Sequence, residues 1–281
     1  GTLFNGLRIV VDCAHGSTYK VGPAVLRELG ARVSVIGNEP DGLNINDRFG
    51  ATNPEALREE VLRRGADLGI AFDGDGDRVI MVDGEGRIVD GDDMLYILAR
   101  ARQEAGQLEG GVVGTVMTNL GLELALGELG IPFLRTPVGD RFIHRALVEK
   151  GWVLGGEASG HVLCLDRTST GDGIVSALQV LEVVARSGQS LAELHAPVRK
   201  LPQTMINVPV SAEGRQRLGD SPAVRAALEQ VEAELDGKGR VILRPSGTEP
   251  LVRVTLEGAD SGQVERLARQ LADTVRSELG A

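Results

Sequence analysis

Apolar and polar positions at the start of the chain alternate as they do in a parallel α/β sheet. Short runs rich in β-branched residues predict strands at 7–13, 32–36 and 67–72, and the segments between them carry apolar residues at helical spacing. Gly30 stands where a cap would end the helix predicted at 20–29. Strands that alternate with helices in this order predict a parallel sheet covered by helices.

A second block with the same rhythm begins near Gly91. Glu28-Leu-Gly30 and Glu128-Leu-Gly130 each close a predicted helix and precede a predicted strand, so the two blocks echo one another. We therefore expect two tandem Rossmann-like mixed α/β domains. The elements predicted for the second block are helices at 92–105, 119–129, 140–149 and 172–187, and strands at 111–116, 131–135 and 152–155.

The remainder of the chain follows a different pattern. Its last two predicted strands are joined by a short loop, which indicates an antiparallel α+β domain. The predicted fold class is therefore α/β, with two tandem Rossmann-like domains followed by an α+β C-terminal domain, and the predicted bounds are 1–88, 89–198 and 199–281. The predicted elements of this last domain are strands at 204–210, 240–244 and 251–257, and helices at 221–235 and 261–279.

The amino-acid composition argues against two classes of binding partner, nucleic acids and membranes. The formal net charge of −10 argues against a protein that binds a nucleic-acid backbone. No run approaches the ~18 apolar residues that a membrane helix needs, so we expect no membrane partner either. Cys13 and Cys164 are far apart and form no C-x-x-C motif, which favours reduced, buried thiols in a cytoplasmic protein.

The most acidic stretch of the chain surrounds the motif Asp73-Gly-Asp-Gly-Asp-Arg78, directly after a predicted strand. Carboxylates at alternating positions with glycines between them can converge on one point, and a hard divalent cation relieves their repulsion. We expect Mg²⁺ on Asp73, Asp75 and Asp77. A structural Asp-Gly turn and an aspartyl phosphatase with Asp73 as nucleophile stay open. An EF-hand is rejected, because Arg78 and Gly84 stand where it needs Gly and Glu.

A second polar loop, Gly155-Gly-Glu-Ala-Ser-Gly-His161, also follows a predicted strand. Glu157, Ser159 and His161 would present an acceptor, a hydroxyl and an imidazole together, as recognition of a polyol requires. A Ser–His nucleophile pair is disfavoured, because the strand, Gly-x-Ser-x-Gly turn and helix of a nucleophile elbow are absent from the sequence. A plain turn is the remaining alternative.

The third loop lies in a basic stretch and predicts a phosphate site. It reads Arg244-Pro-Ser-Gly-Thr-Glu-Pro250, with Arg253 on the following strand. Gly247 would let backbone N–H groups face one point, Ser246 and Thr248 would add hydroxyls, and the two guanidinium groups would clamp a dianion. A simple hairpin turn is the alternative.

A weaker signal stands at Gly139-Asp140-Arg141, where a predicted helix begins. The helix dipole favours an anion at that end, and Asp140 and Arg141 are therefore possible site residues. Asp140 acting only as a helix cap is an equal alternative.

Together the first three motifs resemble, in order and spacing, the metal, sugar and phosphate loops of the α-D-phosphohexomutases. The resemblance spans essentially the whole chain. It implies an intramolecular phosphotransferase of the isomerase class, with magnesium on the three aspartates and Arg78 assisting phosphoryl transfer. It also implies that one phosphorylated sugar contacts all three loops.

Within that family, the chain looks most like the bacterial branch that acts on glucosamine 6-phosphate. Asp12-Cys-Ala-His-Gly16, Asn44-Ile-Asn46 and Thr168-Ser-Thr-Gly-Asp-Gly173 carry this closer resemblance. Glucose or mannose phosphates are the alternative substrates, and a non-catalytic sugar-phosphate-binding module is the alternative function.

The family's phosphorylated serine lies in a loop of the Thr/Ala-Ser-His-Asn-Pro type, and no serine of this sequence has those neighbours. We therefore expect a truncated chain that lacks the phosphoserine domain and is inactive alone. The general acid/base has no assignment, and a homodimer stays open.

Overall fold

The computed structural model describes residues 3–246 and 249–280. They belong to two compact units, of which unit 1 comprises Gly1–Thr118 and Leu122–Arg199 and unit 2 comprises Asn119–Gly121 and Lys200–Ala281. The domain bounds predicted from the sequence stay predictions.

The first sheet of unit 1 has five strands in the order β2-β1-β3-β4-β5. The first three run parallel, as predicted, and the last two are antiparallel additions at one edge. The strands are β1 (Arg8–Asp12), β2 (Arg32–Ile36), β3 (Leu68–Phe72), β4 (Val79–Asp83) and β5 (Ile88–Val89), with helices α1 (Val21–Glu28) and α2 (Glu55–Arg64) between them. The acidic loop follows β3 and leads into β4, so it lies at the carboxyl end of a parallel strand, where ligands gather in such sheets.

The second sheet of unit 1 repeats this plan, with the order β7-β6-β8-β9. Again three parallel strands are followed by an antiparallel one, which confirms the tandem α/β interpretation. The strands are β6 (Val112–Thr115), β7 (Phe133–Thr136), β8 (Leu154–Gly156) and β9 (Val162–Cys164). The helices are α3 (Gly91–Glu104), α4 (Leu120–Glu128), α5 (Asp140–Lys150), α6 (Gly173–Ser187) and α7 (Leu191–His195).

Unit 2 contains a three-stranded antiparallel sheet in the order β10-β12-β11. Val252, Val254 and Leu256 alternate along the central strand and are fully buried against the two long helices, because successive residues of a strand point to opposite faces. The elements are β10 (Gln203–Pro209), α8 (Ala212–Gln216), α9 (Pro222–Leu235), β11 (Gly239–Pro245), β12 (Leu251–Gly258) and α10 (Ser261–Leu279). The predicted α+β domain is confirmed.

Two further expectations concern the chain as a whole. Cys13 and Cys164 are buried and unpaired, as predicted. Among the described residues, no helix combines the length and the apolar character that crossing a membrane requires.

Candidate functional site

The acidic loop after β3 brings three carboxylates together. One oxygen each of Asp73, Asp75 and Asp77 can be chosen so that all three lie within 4.8 Å of one another. Asp73 is buried, and its Oδ1 accepts hydrogen bonds from the backbone N–H groups of Gly76 at 3.1 Å and Arg78 at 3.0 Å. Gly76 has a φ of +81°, which lets the loop curl around that carboxylate.

The electrostatics of this cluster favour a bound cation. Burial, and then the neighbouring carboxylates of Asp77 and Asp75, raise the pKa of Asp73 to about 6. Asp77 Oδ1 is buried and has no hydrogen-bond partner. Arg78 Nε lies 3.9 Å from a carboxylate oxygen of Asp73 and of Asp77, too far for a hydrogen bond. An oxygen-only ligand set with an unsatisfied carboxylate fits a hard divalent cation.

Two other loops of unit 1 form hydrogen bonds with the acidic loop and the strand that follows it. The backbone N–H of Val79 donates to Gly160 O at 3.1 Å, and the backbone N–H of Gly173 donates to Gly76 O at 2.9 Å. His161 Nδ1 lies 3.2 Å from Asp77 Oδ2. The predicted metal loop, the predicted sugar loop and the start of α6 therefore form one connected surface of unit 1.

The three residues predicted for sugar binding differ in exposure. Ser159 is exposed and Glu157 is half-buried, so both have surface to offer a ligand. Glu157 Oε1 accepts a hydrogen bond from the backbone N–H of Gly139 at 3.1 Å. His161 is only 5% exposed and faces Asp77.

The weak motif before α5 therefore lies beside the sugar loop. Gly139, and not Asp140, is the N-cap of α5. The alternative of Asp140 as a cap is wrong, because its Oδ1 accepts from the adjacent N–H of Arg141 instead. Asp140 and Arg141 are both exposed, and Arg141 lies 4.7 Å over the ring of Phe142.

In unit 2, Arg244 and Arg253 stand side by side on neighbouring strands. They are directly paired in the register of β11 and β12, and the Nε of each is buried without a hydrogen-bond partner among the residues that the structure describes. Burial and the charge of Arg253 lower the pKa of Arg244. Like charges placed opposite one another destabilise a sheet, and a bound anion would remove that cost. Glu249 Oε2 accepts from Arg253 at 3.3 Å and partly balances the pair.

Hydrogen bonds hold Ser246 and Glu249, the described residues on either side of the tip of the loop between these strands. Ser246 is 4% exposed, and its Oγ accepts from the backbone N–H of Glu249 at 3.2 Å. Arg215 on α8 donates to Ser246 O at 3.2 Å. Gly247 and Thr248, the other two residues predicted for phosphate binding, lie outside the described residues.

Sequence reasoning missed several neighbours of these loops. Asn207 is paired with Arg253 in the register of β10 and β12, so it belongs to the same row across the sheet. Arg215 supports the phosphate loop from a helix about thirty positions away. Ile45 and Asn46 close over the acidic loop, since a Cβ on Gly74 would lie 2.6 and 2.7 Å from their side chains. Asn207 and Arg215 carry no local motif, whereas Ile45 and Asn46 lie in the segment Asn44-Ile-Asn46, on which the closer resemblance rests but to which the sequence assigned no role.

Family models match three consecutive parts of the chain. The phosphoglucomutase/phosphomannomutase alpha/beta/alpha domain II matches residues 4–86, the alpha/beta/alpha domain III matches residues 90–201, and the C-terminal domain matches residues 205–274.

Curated relatives match the chain along its length. The phosphoglucosamine mutase of Methylococcus capsulatus is 57% identical over 281 residues, which is 100% of this chain and 62% of that protein. The phosphoglucosamine mutase of Halorhodospira halophila is 60% identical over 273 residues, which is 97% of this chain and 59% of that protein. The chain thus spans about three fifths of the length of these relatives.

Solved structures show the same fold. A phosphoglucomutase/phosphomannomutase family protein of Burkholderia thailandensis matches with a TM-score of 0.80 at 22% identity, covering 97% of this chain and 60% of that one. The N-acetylphosphoglucosamine mutase of Aspergillus fumigatus, solved with GlcNAc-6P and magnesium, matches with a TM-score of 0.74 at 23% identity, covering 97% of this chain and 66% of that one. At these identities the likeness shows the fold alone.

Proposed function

The chain belongs to the phosphoglucomutase/phosphomannomutase family, and from that premise we propose that it supplies the metal, sugar and phosphate loops of a phosphoglucosamine mutase. The reaction interconverts glucosamine 6-phosphate and glucosamine 1-phosphate through a 1,6-bisphosphate and an enzyme phosphoserine. The names of the relatives at 57% and 60% identity support the amino sugar over glucose and mannose phosphates.

One observation carries this proposal more than any other. The acidic loop is bonded to the sugar loop through Val79 and Gly160, and His161 reaches Asp77. A cation on the acidic loop would therefore lie close to the groups that hold the sugar. Neither a structural turn nor a phosphatase with Asp73 as its nucleophile requires contacts between the acidic loop and the sugar loop.

Asp73, Asp75 and Asp77 fit Mg²⁺ because they offer only oxygen and leave room for water or a phosphate oxygen. When bound, Mg²⁺ supplies positive charge that stabilises the transferring phosphoryl group. Arg78 follows the metal loop and would assist with its guanidinium. Its Nε is buried beside the two carboxylates and has no hydrogen-bond partner of its own.

The sugar loop and the phosphate loop would bind the substrate in either of its two orientations. Glu157 and Ser159 would bind sugar hydroxyls, with Asp140 and Arg141 nearby on the surface. The phosphate that is not reacting would be held by Arg244, Ser246, Gly247, Thr248 and Arg253. The paired guanidinium groups suit a dianion, because each can form two parallel hydrogen bonds to phosphate oxygens.

The phosphoryl donor is not among the serines of these 281 residues, and the relatives are longer than the chain. We place that donor in the part of the relatives that the chain does not match. The cytoplasmic location and the homodimer stay predictions.

The proposal is tested by joining the chain to the part of the Methylococcus capsulatus relative that it does not match. ³¹P NMR would follow conversion of glucosamine 6-phosphate in the presence of Mg²⁺ and a trace of glucosamine 1,6-bisphosphate. We expect glucosamine 1-phosphate to form, and glucose 6-phosphate and mannose 6-phosphate to turn over more slowly. A fused protein that folds but prefers glucose or mannose 6-phosphate would contradict the amino-sugar assignment.

A further inference from the structure

The side chain of His161 is almost wholly buried. It is 5% exposed, and its Nε2 is buried without a hydrogen-bond partner in the described part of the chain. A Cβ on Gly171 would collide with the imidazole ring, so the backbone of that loop lies directly against it. The backbone O of His161 accepts from the N–H of Glu157 at 3.0 Å, which fixes where the side chain begins.

The open edge of the ring faces a carboxylate of the acidic loop. His161 Nδ1 lies 3.2 Å from Asp77 Oδ2, within hydrogen-bond distance. The neutral tautomer with its proton on Nδ1 satisfies this contact and leaves no buried N–H unpaired at Nε2. The two carboxylate oxygens of Asp77 therefore differ. Oδ2 contacts the imidazole, whereas Oδ1 is buried and has no hydrogen-bond partner among the described residues.

We propose that His161 is a positioning residue for Asp77: it holds Oδ2 so that Oδ1 stays turned toward a divalent cation on the acidic loop. This inference rests on the proposed function in taking Asp77 as a metal ligand. It moves His161 from the sugar-binding group, in which the sequence placed it, to the support of the metal loop.

Without the imidazole, the contact between Nδ1 and Asp77 Oδ2 is lost. The carboxylate would then be free to rotate, and Arg78 Nε, which lies 3.9 Å from Oδ1, could pair with it and compete with the cation. Outer partners that orient a metal ligand commonly contribute 10- to 100-fold to metal affinity.

Three substitutions separate positioning from a merely structural role. His161→Asn keeps an N–H donor near the place of Nδ1, His161→Gln moves the donor toward the place of Nε2, and His161→Ala removes it. Calorimetric titration of the 281-residue chain with Mg²⁺ alone reports metal affinity without any need for turnover. We expect His161→Ala and His161→Gln to weaken Mg²⁺ binding roughly 10- to 100-fold, and His161→Asn to stay within about 3-fold of wild type.

A double-mutant cycle tests whether the effect passes through Asp77. In an Asp77→Asn background, His161→Ala should cause no further loss of Mg²⁺ affinity, because the carboxylate that it orients is gone. Thermal unfolding of each variant shows whether it is folded, and His161→Gln keeps the test valid if the alanine variant is not.

Titration with glucosamine 6-phosphate in the absence of metal separates this inference from the proposed function. We expect wild type and His161→Asn to bind it equally. If His161→Asn weakened sugar-phosphate binding and left Mg²⁺ affinity unchanged, the imidazole would be a sugar ligand and the inference would be overturned. Wild-type chain that bound no Mg²⁺ would overturn it too. If the fused protein showed no mutase turnover while the His161 variants had the expected Mg²⁺ affinities, only the proposed function would be contradicted.

Discussion

Glu157 Oε1 accepts a hydrogen bond from the backbone N–H of Gly139 at 3.1 Å, so the carboxylate of the sugar loop lies at the N-terminus of α5. The positive end of the helix dipole favours a negative charge there. Two sequence motifs that are 18 positions apart thus form one piece of surface. The contact holds Oε1 of Glu157, and we expect the other carboxylate oxygen to bind a hydroxyl group of the sugar.

Substitution of Glu157 by alanine should therefore reduce binding of the sugar more than it reduces stability. A hydrogen bond to a charged group contributes about 1.5–3 kcal/mol, so we expect roughly 10-fold or greater loss of glucosamine 6-phosphate affinity. Calorimetry on the 281-residue chain measures it. Inorganic phosphate is the matched control ligand, and equal loss for both ligands would contradict a contact to the sugar.

Asp75 is the most accessible member of the acidic cluster, which makes it the best single site at which to test the metal loop. Asp75→Asn should weaken Mg²⁺ binding at least 10-fold, since it removes a charged oxygen ligand. The metal-free variant should be no less stable than wild type, because one of three mutually repelling charges is gone.

Asp220→Asn, at an exposed aspartate of unit 2, is the matched control for that experiment. Calorimetry with Mg²⁺ and thermal unfolding without it give the two readouts. If Asp75→Asn bound Mg²⁺ as tightly as the control, the acidic loop would not be the metal site.

Arg244 and Arg253 should respond to substitution as a phosphate clamp does. Arg244→Ala should weaken binding of glucosamine 6-phosphate by about 1–3 kcal/mol, on the scale of a charged hydrogen bond. Arg244→Lys should recover only part of this, because lysine lacks the planar fork that binds two phosphate oxygens. Removal of one of two facing charges should not lower stability. Calorimetry that gave the alanine variant wild-type affinity would rule out this phosphate site.

Asp12 should make the stability of the chain depend on pH. It is fully buried, and burial raises its pKa from 3.8 to about 6, although the backbone N–H groups of Gly50 and Ala14 donate to it and oppose that rise. A folded pKa above the unfolded one gives stability that is present below about pH 4 and is lost as the pH rises through about 6. At about 1.4 kcal/mol per pKa unit, the loss amounts to about 3 kcal/mol.

Asp12→Asn removes this titration, so its stability relative to wild type should improve as the pH rises from 4.5 to 7. Urea unfolding of both proteins at several pH values measures the difference, and other titrating groups cancel in the comparison. A difference that stayed constant across that range would show that Asp12 keeps an ordinary pKa.

The parallel strands and the clustering of three carboxylates in the acidic loop could be predicted from the sequence, because both leave local patterns. β1 to β3 are β-branched runs between turn residues, and the Asp-Gly alternation of the acidic loop needs no tertiary information. β4 and β9 were missed. Each is a short apolar strand that directly follows a polar loop, and the sequence analysis assigned the loop without the strand after it.

Contacts between motifs were not readable, because spacing along the chain does not report distance across it. The sequence placed His161 with Glu157 and Ser159, since the three alternate on one loop. The structure turns the imidazole away from solvent and onto Asp77, 84 positions earlier in the chain, and Gly171 makes room for the ring. The contact of Arg215 with Ser246 could not be predicted for the same reason. Arg215 donates to the backbone oxygen of Ser246, which any residue would provide.

Calorimetric titration of the 281-residue chain with glucosamine 6-phosphate, with Mg²⁺ present, tests the central claim most directly. We expect saturable binding, tighter than that of mannose 6-phosphate, and weakened by Arg244→Ala and by Glu157→Ala. A folded chain that bound Mg²⁺ but took up no hexose phosphate, or that bound it with neither substitution having an effect, would contradict the account.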